Sequence, residues 1–199
     1  MKKAMKKNNR EIISFPAFHY MKLQKTDTLA GLKPLRGSVI TGEKIKLREK
    51  KLTDVRADYR WQSDLELSKL DAAPGLVMSF ALYLLDYTSI MHEYDHLRFP
   101  LAVETMDGKH IGNCTLYDID EKKAEGQIGV MIGERDYWNQ GYGVDVVTAF
   151  VNHIFHNSGL DRLYLKTLDW NIRAQKCFTK CGFIPCGYMR REGHNSRRE

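Results

Sequence analysis

The sequence predicts a mixed α/β fold in which a mostly antiparallel central sheet is flanked by helices. Two patterns support this class: a run of antiparallel strands in mid-chain, and an order of strand, helix, strand, helix and strand in the second half. With 199 residues, 43% hydrophobic and 28% charged, the chain has the composition of a globular protein with one sizeable core. Its most apolar stretch, residues 76–85, has about half the length of a membrane-spanning helix.

The first elements are a strand and three helical segments. Residues 44–48 alternate polar and apolar side chains, which predicts a half-buried strand. Residues 53–54 can cap a helix that ends near Ser63, and Asp64 can cap a second helix. Residues 76–96 are rich in apolar side chains and favour a longer helix.

The mid-chain strands are separated by turns. Residues 99–105 and 110–119 flank the turn 106–109, which contains Asp-Gly and predicts a hairpin. A second polar turn leads into a third strand over residues 126–132. These three segments therefore predict an antiparallel run.

The second half alternates helices and strands. From Gly143 onward, five apolar residues fall on one face of a helix: Val144, Val147, Val151, Ile154 and Phe155. A short strand over 162–167 follows, then a helix that Asn171 can cap and Gly182 can end. Residues 183–189 predict the last strand.

The positive charge of the chain is concentrated at its beginning. Residues 1–36 hold nine of the 31 Lys and Arg but only two of the 25 Asp and Glu, so the remainder carries 22 basic against 23 acidic residues. We interpret residues 1–36 as a flexible basic extension and residues 37–199 as the folded domain. An electrostatic arm for RNA or another acidic surface is the alternative for this extension.

The four cysteines are too few for a disulfide scaffold in a chain of this length. No apolar segment follows the lysine-rich opening, so it does not have the pattern of a secretory signal. We therefore expect free thiols and a cytoplasmic protein that is not bound to a membrane.

A glycine-containing loop precedes the amphipathic helix and predicts an anion site. Gly141 and Gly143 allow close approach of a ligand to the backbone, and free N–H groups at a helix start favour phosphate. A simple tight turn is the alternative. The loop does not match a dinucleotide fingerprint, because Val146 stands at the third glycine position, and it lacks the P-loop lysine.

A second segment, about thirty residues after the loop, strengthens the evidence that the loop binds a ligand. Residues 138–143 read Trp-Asn-Gln-Gly-Tyr-Gly, and residues 171–183 contain Asn171, Ala174, Phe178 and the pair Gly182–Phe183. In this order and spacing the two segments resemble the GNAT superfamily of acyl-CoA-dependent N-acetyltransferases. The form of the first segment is most similar to the branch that contains ribosomal-protein N-terminal acetyltransferases. The resemblance extends from Gly42 to about Met189.

This resemblance implies a GNAT-type sheet and direct transfer of an acetyl group from acetyl-CoA to an amine, with backbone N–H groups holding the oxyanion between two splayed strands. It implies that three strand residues line the acetyl and pantetheine arm, that the glycine loop binds the pyrophosphate and that the following motif contacts the cofactor. These residues are Val130, Met131 and Ile132; Trp138, Asn139, Gln140, Gly141, Tyr142, Gly143 and Val144; and Asn171, Arg173 and Phe178.

Three positions depart from the family pattern. Trp138 stands where the loop often begins with Gln or Arg, and Phe178 stands where many members carry a tyrosine that protonates the leaving thiolate. Residues 193–199 show no apolar alternation, whereas family members usually finish with another strand. The resemblance therefore implies a shortened C-terminal hairpin.

The general base is the least defined part of the predicted site. Gln127 stands where many relatives place a glutamate, and the remaining candidates are Asp118, Glu134 and Asp120, each acting directly or through water. Asp118 points inward, with Cys114 and Leu116, if its strand alternates. Deprotonating a lysine-like amine at neutral pH costs about 4 kcal/mol and an α-amine less than about 1 kcal/mol, so a weak base favours an α-amine.

Two further patterns raise the question of a metal. Residues 92–96 fit the H-E-x-x-H pattern of zinc proteases, but Asp95 places a charge inside that helix and Pro100 ends the pattern soon afterwards. Cys177 and Cys181 lie on an apolar helical stripe, where thiols usually belong to the core. We therefore predict no metal.

The leading hypothesis is an N-acetyltransferase that uses acetyl-CoA as co-substrate and acts on a primary amine of a small molecule, peptide or protein N-terminus. A non-catalytic acyl-CoA-binding module is one alternative, supported by Gln127 and Phe178. A protein associated with RNA or the ribosome through residues 1–36 is another, and nucleic acid is otherwise not expected. A homodimer is compatible with the sequence.

Overall fold

A computed structural model describes residues 17–25, 39–92 and 98–190 and shows the expected mixed α/β architecture. Eight strands form one sheet. In chain order they are β1 (Ala17–Gln24), β2 (Ile40–Thr41), β3 (Ile45–Glu49), β4 (Phe99–Thr105), β5 (His110–Asp120), β6 (Glu125–Ile132), β7 (Arg162–Leu168) and β8 (Ile184–Arg190).

The strands follow the order β2-β3-β4-β5-β6-β7-β1-β8 across the sheet. Every neighbouring pair is antiparallel except β6 and β7, which run parallel. The predicted hairpin is confirmed as β4 and β5, and the predicted third strand is β6.

Five helices accompany the sheet: α1 (Val55–Gln62), α2 (Leu65–Leu70), α3 (Phe80–His92), α4 (Tyr142–Asn157) and α5 (Ile172–Lys180). Two of the predicted caps are confirmed. The Asp64 carboxylate accepts hydrogen bonds from the N–H groups of Glu66 and Leu67 at the start of α2, and Asn171 accepts one from Ala174 at the start of α5. No helix in the described ranges combines the length and apolarity needed to cross a membrane.

The two faces of the sheet have different partners. On one face, α4 buries members of the apolar stripe that the sequence predicted, including Val147, Val151 and Ile154, in one core cluster with Cys114 and Leu116 of β5. The alternate residues of β5 point to the opposite face, where Asn113 contacts Asp58 of α1. Helices α1 and α2 therefore cover the face on which α4 does not lie.

Strand β1 lies inside the sheet, between β7 and β8, and is antiparallel to both. Its Met21 is 2% exposed and belongs to the core. The interpretation of residues 1–36 as a flexible extension is thus wrong for Ala17–Gln24. The error has a physical cause: the partners of β1 follow it by about 140 to 170 residues, and no local pattern reports such a pairing. Residues 1–16 and 26–36 of the extension lie outside the described residues.

The C-terminal end of the sheet depends on this strand. β8 is the last strand among the described residues, and its partner is β1 rather than a strand that follows it. Residues 193–199, on which the predicted shortening of the C-terminal hairpin rests, lie outside the described residues.

Buried ion pairs attach the start of α1 to the sheet. The Arg48 guanidinium of β3 binds both oxygens of Asp54 at 2.8 and 2.9 Å and donates to Glu104 at 3.0 Å. Asp54 is 3% exposed. Burial acts to raise the pKa of Asp54, but the hydrogen bonds from Arg48 and from the N–H of Lys51 outweigh it, and the pKa is lowered.

A substitution in β1 tests whether this strand belongs to the core. We expect Met21→Ala to lower the free energy of unfolding by about 2–5 kcal/mol, because it leaves a cavity at a fully buried position. Urea denaturation measures this change. The exposed Gln24 of the same strand provides the control, and Gln24→Ala should change stability little. Equal, negligible effects of both substitutions would show that β1 does not pack as described.

The buried ion pair generates a prediction about acid stability. Asp54→Asn should destabilise the protein by about 3 kcal/mol at neutral pH, because Arg48 keeps its charge and loses its bidentate partner. Since the folded-state pKa of Asp54 is lowered, its contribution is present above the ordinary aspartate pKa of about 4 and is lost as the pH falls. Urea denaturation at several pH values should therefore show a smaller loss of stability in acid for the variant. Glu66→Gln, which alters an exposed ion pair with Arg135, is the control. A variant as stable and as acid-sensitive as the wild type would contradict this role.

Candidate active site

The site begins where β6 and β7 separate. The two strands pair at only three positions, from Glu125 with Arg162 to Gln127 with Tyr164. Beyond this point β6 stays paired with β5 as far as Ile132, while β7 stays paired with β1 as far as Leu168. The edge of β6 that faces β7 therefore opens into a cleft in the middle of the sheet.

The cleft contains a cavity of about 510 Å³ between β6, the start of α4, and α5. The structure brings most of the predicted cofactor residues to its walls. They are Val130, Met131, Ile132, Trp138, Asn139, Gly141, Gly143, Val144, Asn171, Arg173 and Phe178. Gln140 and Tyr142 belong to the same loop but do not line the cavity.

The loop before α4 forms part of the cavity wall. Asn139 and Gly141 adopt left-handed conformations, with φ of 59° and 86°, and Gly141 is the N-cap of α4. Asp145 donates the first intrahelical hydrogen bond, to the carbonyl of Gly141. The preceding N–H groups of the first turn thus remain available for an anion, with the positive end of the helix dipole behind them.

Lys44 adds a positive charge at the start of α4. Its Nζ donates to the carbonyl of Gln140 at 2.9 Å and lies 5.5 Å from the centre of the Tyr142 ring. The Asp145 carboxylate accepts hydrogen bonds from the N–H groups of Glu43 and Lys44 at 3.0 and 2.8 Å, which ties the β2–β3 turn to α4. Sequence analysis missed this role, because Lys44 is about 100 residues away from the loop.

Helix α5 lines the cavity with three cations, Arg173, Lys176 and Lys180. Their spacing of three and four residues places them on one side of the helix. The Arg173 guanidinium lies 3.5 Å from the centre of the Trp138 ring, and the Trp138 indole N–H donates to the carbonyl of Ile132 at 2.7 Å. The only acidic residue in the described lining is Asp71. This balance favours a ligand that carries several negative charges.

Asn171 and Phe178 lie on the same helix and have different roles. Asn171 caps α5 and also lines the cavity, so both predicted roles are compatible. Phe178 is 8% exposed and packs edge-on against Phe183, with the ring centres 6.1 Å apart. Phe178 offers no proton to a ligand in the cleft.

The predicted orientation of Asp118 is wrong. Asp118 has a φ of 50°, and the β5–β6 register shifts beside it, so the alternation that would have turned it inward is broken. Its side chain is exposed and accepts a hydrogen bond from the amide of Gln127 at 2.9 Å. Neither residue lines the cleft.

The other two predicted carboxylates also lie outside the cleft. Glu134 accepts hydrogen bonds from the Trp61 indole at 3.1 Å and from the Arg60 guanidinium. Asp120 accepts from the N–H groups of Lys122 and Lys123 in the turn after β5. Both carboxylates are engaged in contacts that shape the fold, so neither is placed to receive a proton from a ligand in the cleft.

Asp71 is a carboxylate that does line the cleft. It follows α2 directly and lines both the cleft and a second cavity of about 440 Å³. The two cavities also share Leu67, Val130 and Met131, so they meet at α2 and β6. Asp71 is exposed to the cavities, but the surrounding protein reduces its hydration, and this burial raises its pKa. No sequence motif identifies Asp71 as a residue of the candidate site. Its position directly after the helix that Asp64 caps is the one signal in the sequence.

A buried polar cluster supports the floor of the second cavity. Lys50 contacts Asp58 at 2.6 Å, and Asp58 accepts further hydrogen bonds from Asn113 at 2.8 Å and Tyr87 at 3.0 Å. Burial lowers the pKa of Lys50, and the charge of Asp58 opposes this effect. Asn113 is thereby held at the cavity wall.

The described residues contain no group of three side chains that could hold a metal ion. Most of the H-E-x-x-H pattern, residues 93–96, lies outside them. Cys177 lines the cleft and shares a hydrogen bond with Cys181, which lowers the Cys181 pKa to about 7. All four cysteines are free thiols.

Comparisons with known proteins agree with this geometry. The profile of the acetyltransferase (GNAT) domain matches residues 44–184, and a search of curated protein sequences finds no match. Among solved structures, the spermidine N-acetyltransferase of Vibrio cholerae in complex with CoA and spermine is similar, with a TM-score of 0.65 and 19% identity over 72% of this chain and 82% of that one. A GNAT-family acetyltransferase from Bacillus anthracis gives a TM-score of 0.61 and 20% identity over 78% and 86%.

An aminoglycoside acetyltransferase in complex with coenzyme A gives a TM-score of 0.59 and 19% identity, covering 72% of this chain and 86% of that one. These identities establish a shared fold, and the profile match covers more than two thirds of the chain. The chain therefore belongs to the acetyltransferase (GNAT) domain family and is an acetyltransferase.

Proposed function

We propose that the protein transfers the acetyl group of acetyl-CoA to a primary amine. The observation that carries this proposal is the cleft between β6 and β7, which has a cationic helix start at one end and the Asp71 carboxylate where it meets the second cavity. CoA is a molecule of matching form, since a polyanionic phosphate end is joined by a long arm to a reactive thioester.

The chain's own residues fit the phosphate end of CoA. The first N–H groups of α4 and the Lys44 ammonium surround the place where a pyrophosphate would bind. Lys176 and Lys180 have no ion-pair partner among the described residues and add positive charge along the same wall. The narrower arm would then lie along Val130, Met131 and Ile132, beside the open edge of β6.

The open strand edge supports the chemistry of acyl transfer. A neutral amine attacks the thioester carbonyl carbon, a C–N bond forms, and the C–S bond breaks to release the CoA thiolate. N–H groups of β6 that lack a strand partner can hold the developing oxyanion, and donors already in place at such an oxygen often supply the largest catalytic effect. Phe178 cannot protonate the thiolate, so we assign that proton to water.

The attacking amine has to lose a proton, and Asp71 is the carboxylate best placed to receive it. Its raised pKa makes it a stronger base than an ordinary aspartate, although it remains far weaker than a lysine-like amine. This limit favours an α-amine, which is less basic than a lysine-like amine. The structurally similar spermidine and aminoglycoside acetyltransferases are named for acceptors that also carry amines.

A turnover experiment tests the proposed reaction. The protein is incubated with acetyl-CoA and a panel of amines, and CoA and the acetylated product are measured by mass spectrometry, which avoids reagents that attack the free thiols. We expect acetylated product and CoA in equal amounts. We expect Asp71→Asn to reduce kcat by about 100-fold, within the range for loss of a general base, and to leave acetyl-CoA binding unchanged or tighter.

Two results would contradict this proposal. Tight binding of acetyl-CoA without acetylation of any amine would support the non-catalytic acyl-CoA-binding alternative. Full activity of Asp71→Asn would remove Asp71 from the reaction while leaving acetyl transfer in place.

The glycine loop provides a matched pair of variants for CoA binding. Gly141 and Gly108 have similar φ values, 86° and 92°, so alanine imposes similar backbone strain at both. A Cβ at Gly141 would lie 3.8 Å from the Lys44 Nζ, at the proposed phosphate site, whereas one at Gly108 would meet no described atom within 4 Å. We expect Gly141→Ala to weaken acetyl-CoA binding by at least about tenfold in isothermal titration, and Gly108→Ala to leave it unchanged. Equal affinities of the two variants would argue against this phosphate site.

A further inference from the structure

The second cavity has the size and the position of an acceptor site. Its volume of about 440 Å³ lies within the usual range for small-molecule pockets. It lies along the side-chain face of β5 that carries Asn113, Thr115 and Tyr117, and it meets the cofactor cleft at Asp71 and Val130. An acceptor bound in this cavity could therefore reach a thioester that lies along β6.

Only two of the described residues that line this cavity carry a charge, the acidic Asp71 and the basic Arg98. Neither forms an ion pair with another described residue. The nearby charges of Lys50 and Asp58 are already paired with each other. Asp71 and Arg98 are thus the charged groups of the cavity that remain for a ligand.

The phenol of Tyr117 lies within electrostatic reach of both charges. Burial raises the pKa of Tyr117, the negative charges of Asp118 and Asp71 raise it further, and the positive charge of Arg98 lowers it. Tyr117 and Thr115 lie on the same face of β5 and contribute hydroxyl groups to the cavity lining. The charged groups of this cavity are therefore one carboxylate, which also lines the cofactor cleft, and one guanidinium, which does not.

Asp71 is held in place by the backbone. Its N–H donates to the carbonyl of Leu67 at 2.9 Å at the end of α2, and Ala72 turns away with a φ of 53°. The Asp71 carboxylate has no hydrogen-bond donor among the described residues. A carboxylate that lines a cavity without a partner is available to pair with a ligand that brings an ammonium group.

We propose that the acceptor is a small amino acid-like molecule that carries a primary amine and a carboxylate, with the amine at Asp71 and the carboxylate at Arg98. This inference rests on the proposed acetyl transfer. The ammonium proton passes to Asp71 and then to solvent, the amine nitrogen bonds to the acetyl carbon, and the CoA thiolate leaves and takes a proton from water. A diamine or polyamine would bring a second positive charge toward Arg98, so the cavity selects against that class.

The test compares acceptors that differ only in the carboxylate. Initial rates are measured with acetyl-CoA and L-methionine, L-methioninamide, L-phenylalanine, L-phenylalaninamide or 1,5-diaminopentane. We expect kcat/KM for each acid to exceed that for its amide by about 10- to 100-fold, the range for a hydrogen bond to a charged group. The amides have the less basic amines and are more often deprotonated, so this preference has to come from the protein.

We expect Arg98→Gln to reduce the ratio of kcat/KM for the acid to kcat/KM for the amide toward one. Arg98→Lys keeps the positive charge and should preserve part of the preference for the acid. Arg56→Gln makes the same chemical change on the exposed side of α1 and is the matched control, for which the ratio should not change. An acetyl-CoA affinity equal to that of the wild type shows that each variant is folded. A faster reaction with the amides or the diamine, or an unchanged ratio in Arg98→Gln, would overturn the inference and leave the acetyltransferase proposal intact. Failure to acetylate any amine would instead overturn the proposed function.

Discussion

The candidate active site of this protein depends on the early separation of two parallel strands. β6 and β7 share three paired positions, and each is then held on its other side by an antiparallel neighbour, β5 or β1. The gap therefore opens inside the sheet and exposes strand backbone that is normally paired. Unpaired backbone groups are costly when buried, so such a gap is suited to a ligand that supplies hydrogen bonds. The proposed cofactor site and acceptor cavity both follow from this opening.

Charge is distributed unevenly around the opening. Cations from the β2–β3 turn and from α5 lie around the start of α4, whereas the face covered by α1 and α2 contains charges that are mostly paired within the protein. Removing one member of a buried pair leaves the other uncompensated, so these residues support the scaffold. Asp71 and Arg98 differ because they line a cavity and have no partner among the described residues. Because Asp71 and Arg98 are not members of the buried ion pairs, they are candidates for binding an acceptor.

The sheet is completed by residues from the beginning of the chain. Family members usually finish with a further strand near the C-terminus, and the sequence predicted a shortened hairpin here. The described strand beside β8 is β1, which also pairs with β7 over seven residues. Hydrogen bonding between strands does not depend on their order in the sequence, provided that direction and register match. A segment from the basic N-terminal region therefore occupies the place in the sheet between β7 and β8.

Local sequence patterns determined most of the elements of this protein and the cofactor loop, because capping, helical periodicity and glycine conformations act within a few residues. Asp64 and Asn171 cap helices where the sequence indicated, α4 begins within the predicted glycine loop, and four of the five stripe residues on α4 are buried. Tertiary structure alone decided the position of β1, the outward turn of Asp118, and the meeting of two cavities at Asp71. Each of these depends on strand pairing or packing between segments far apart in the chain, and such contacts leave no regular pattern in the sequence of either segment.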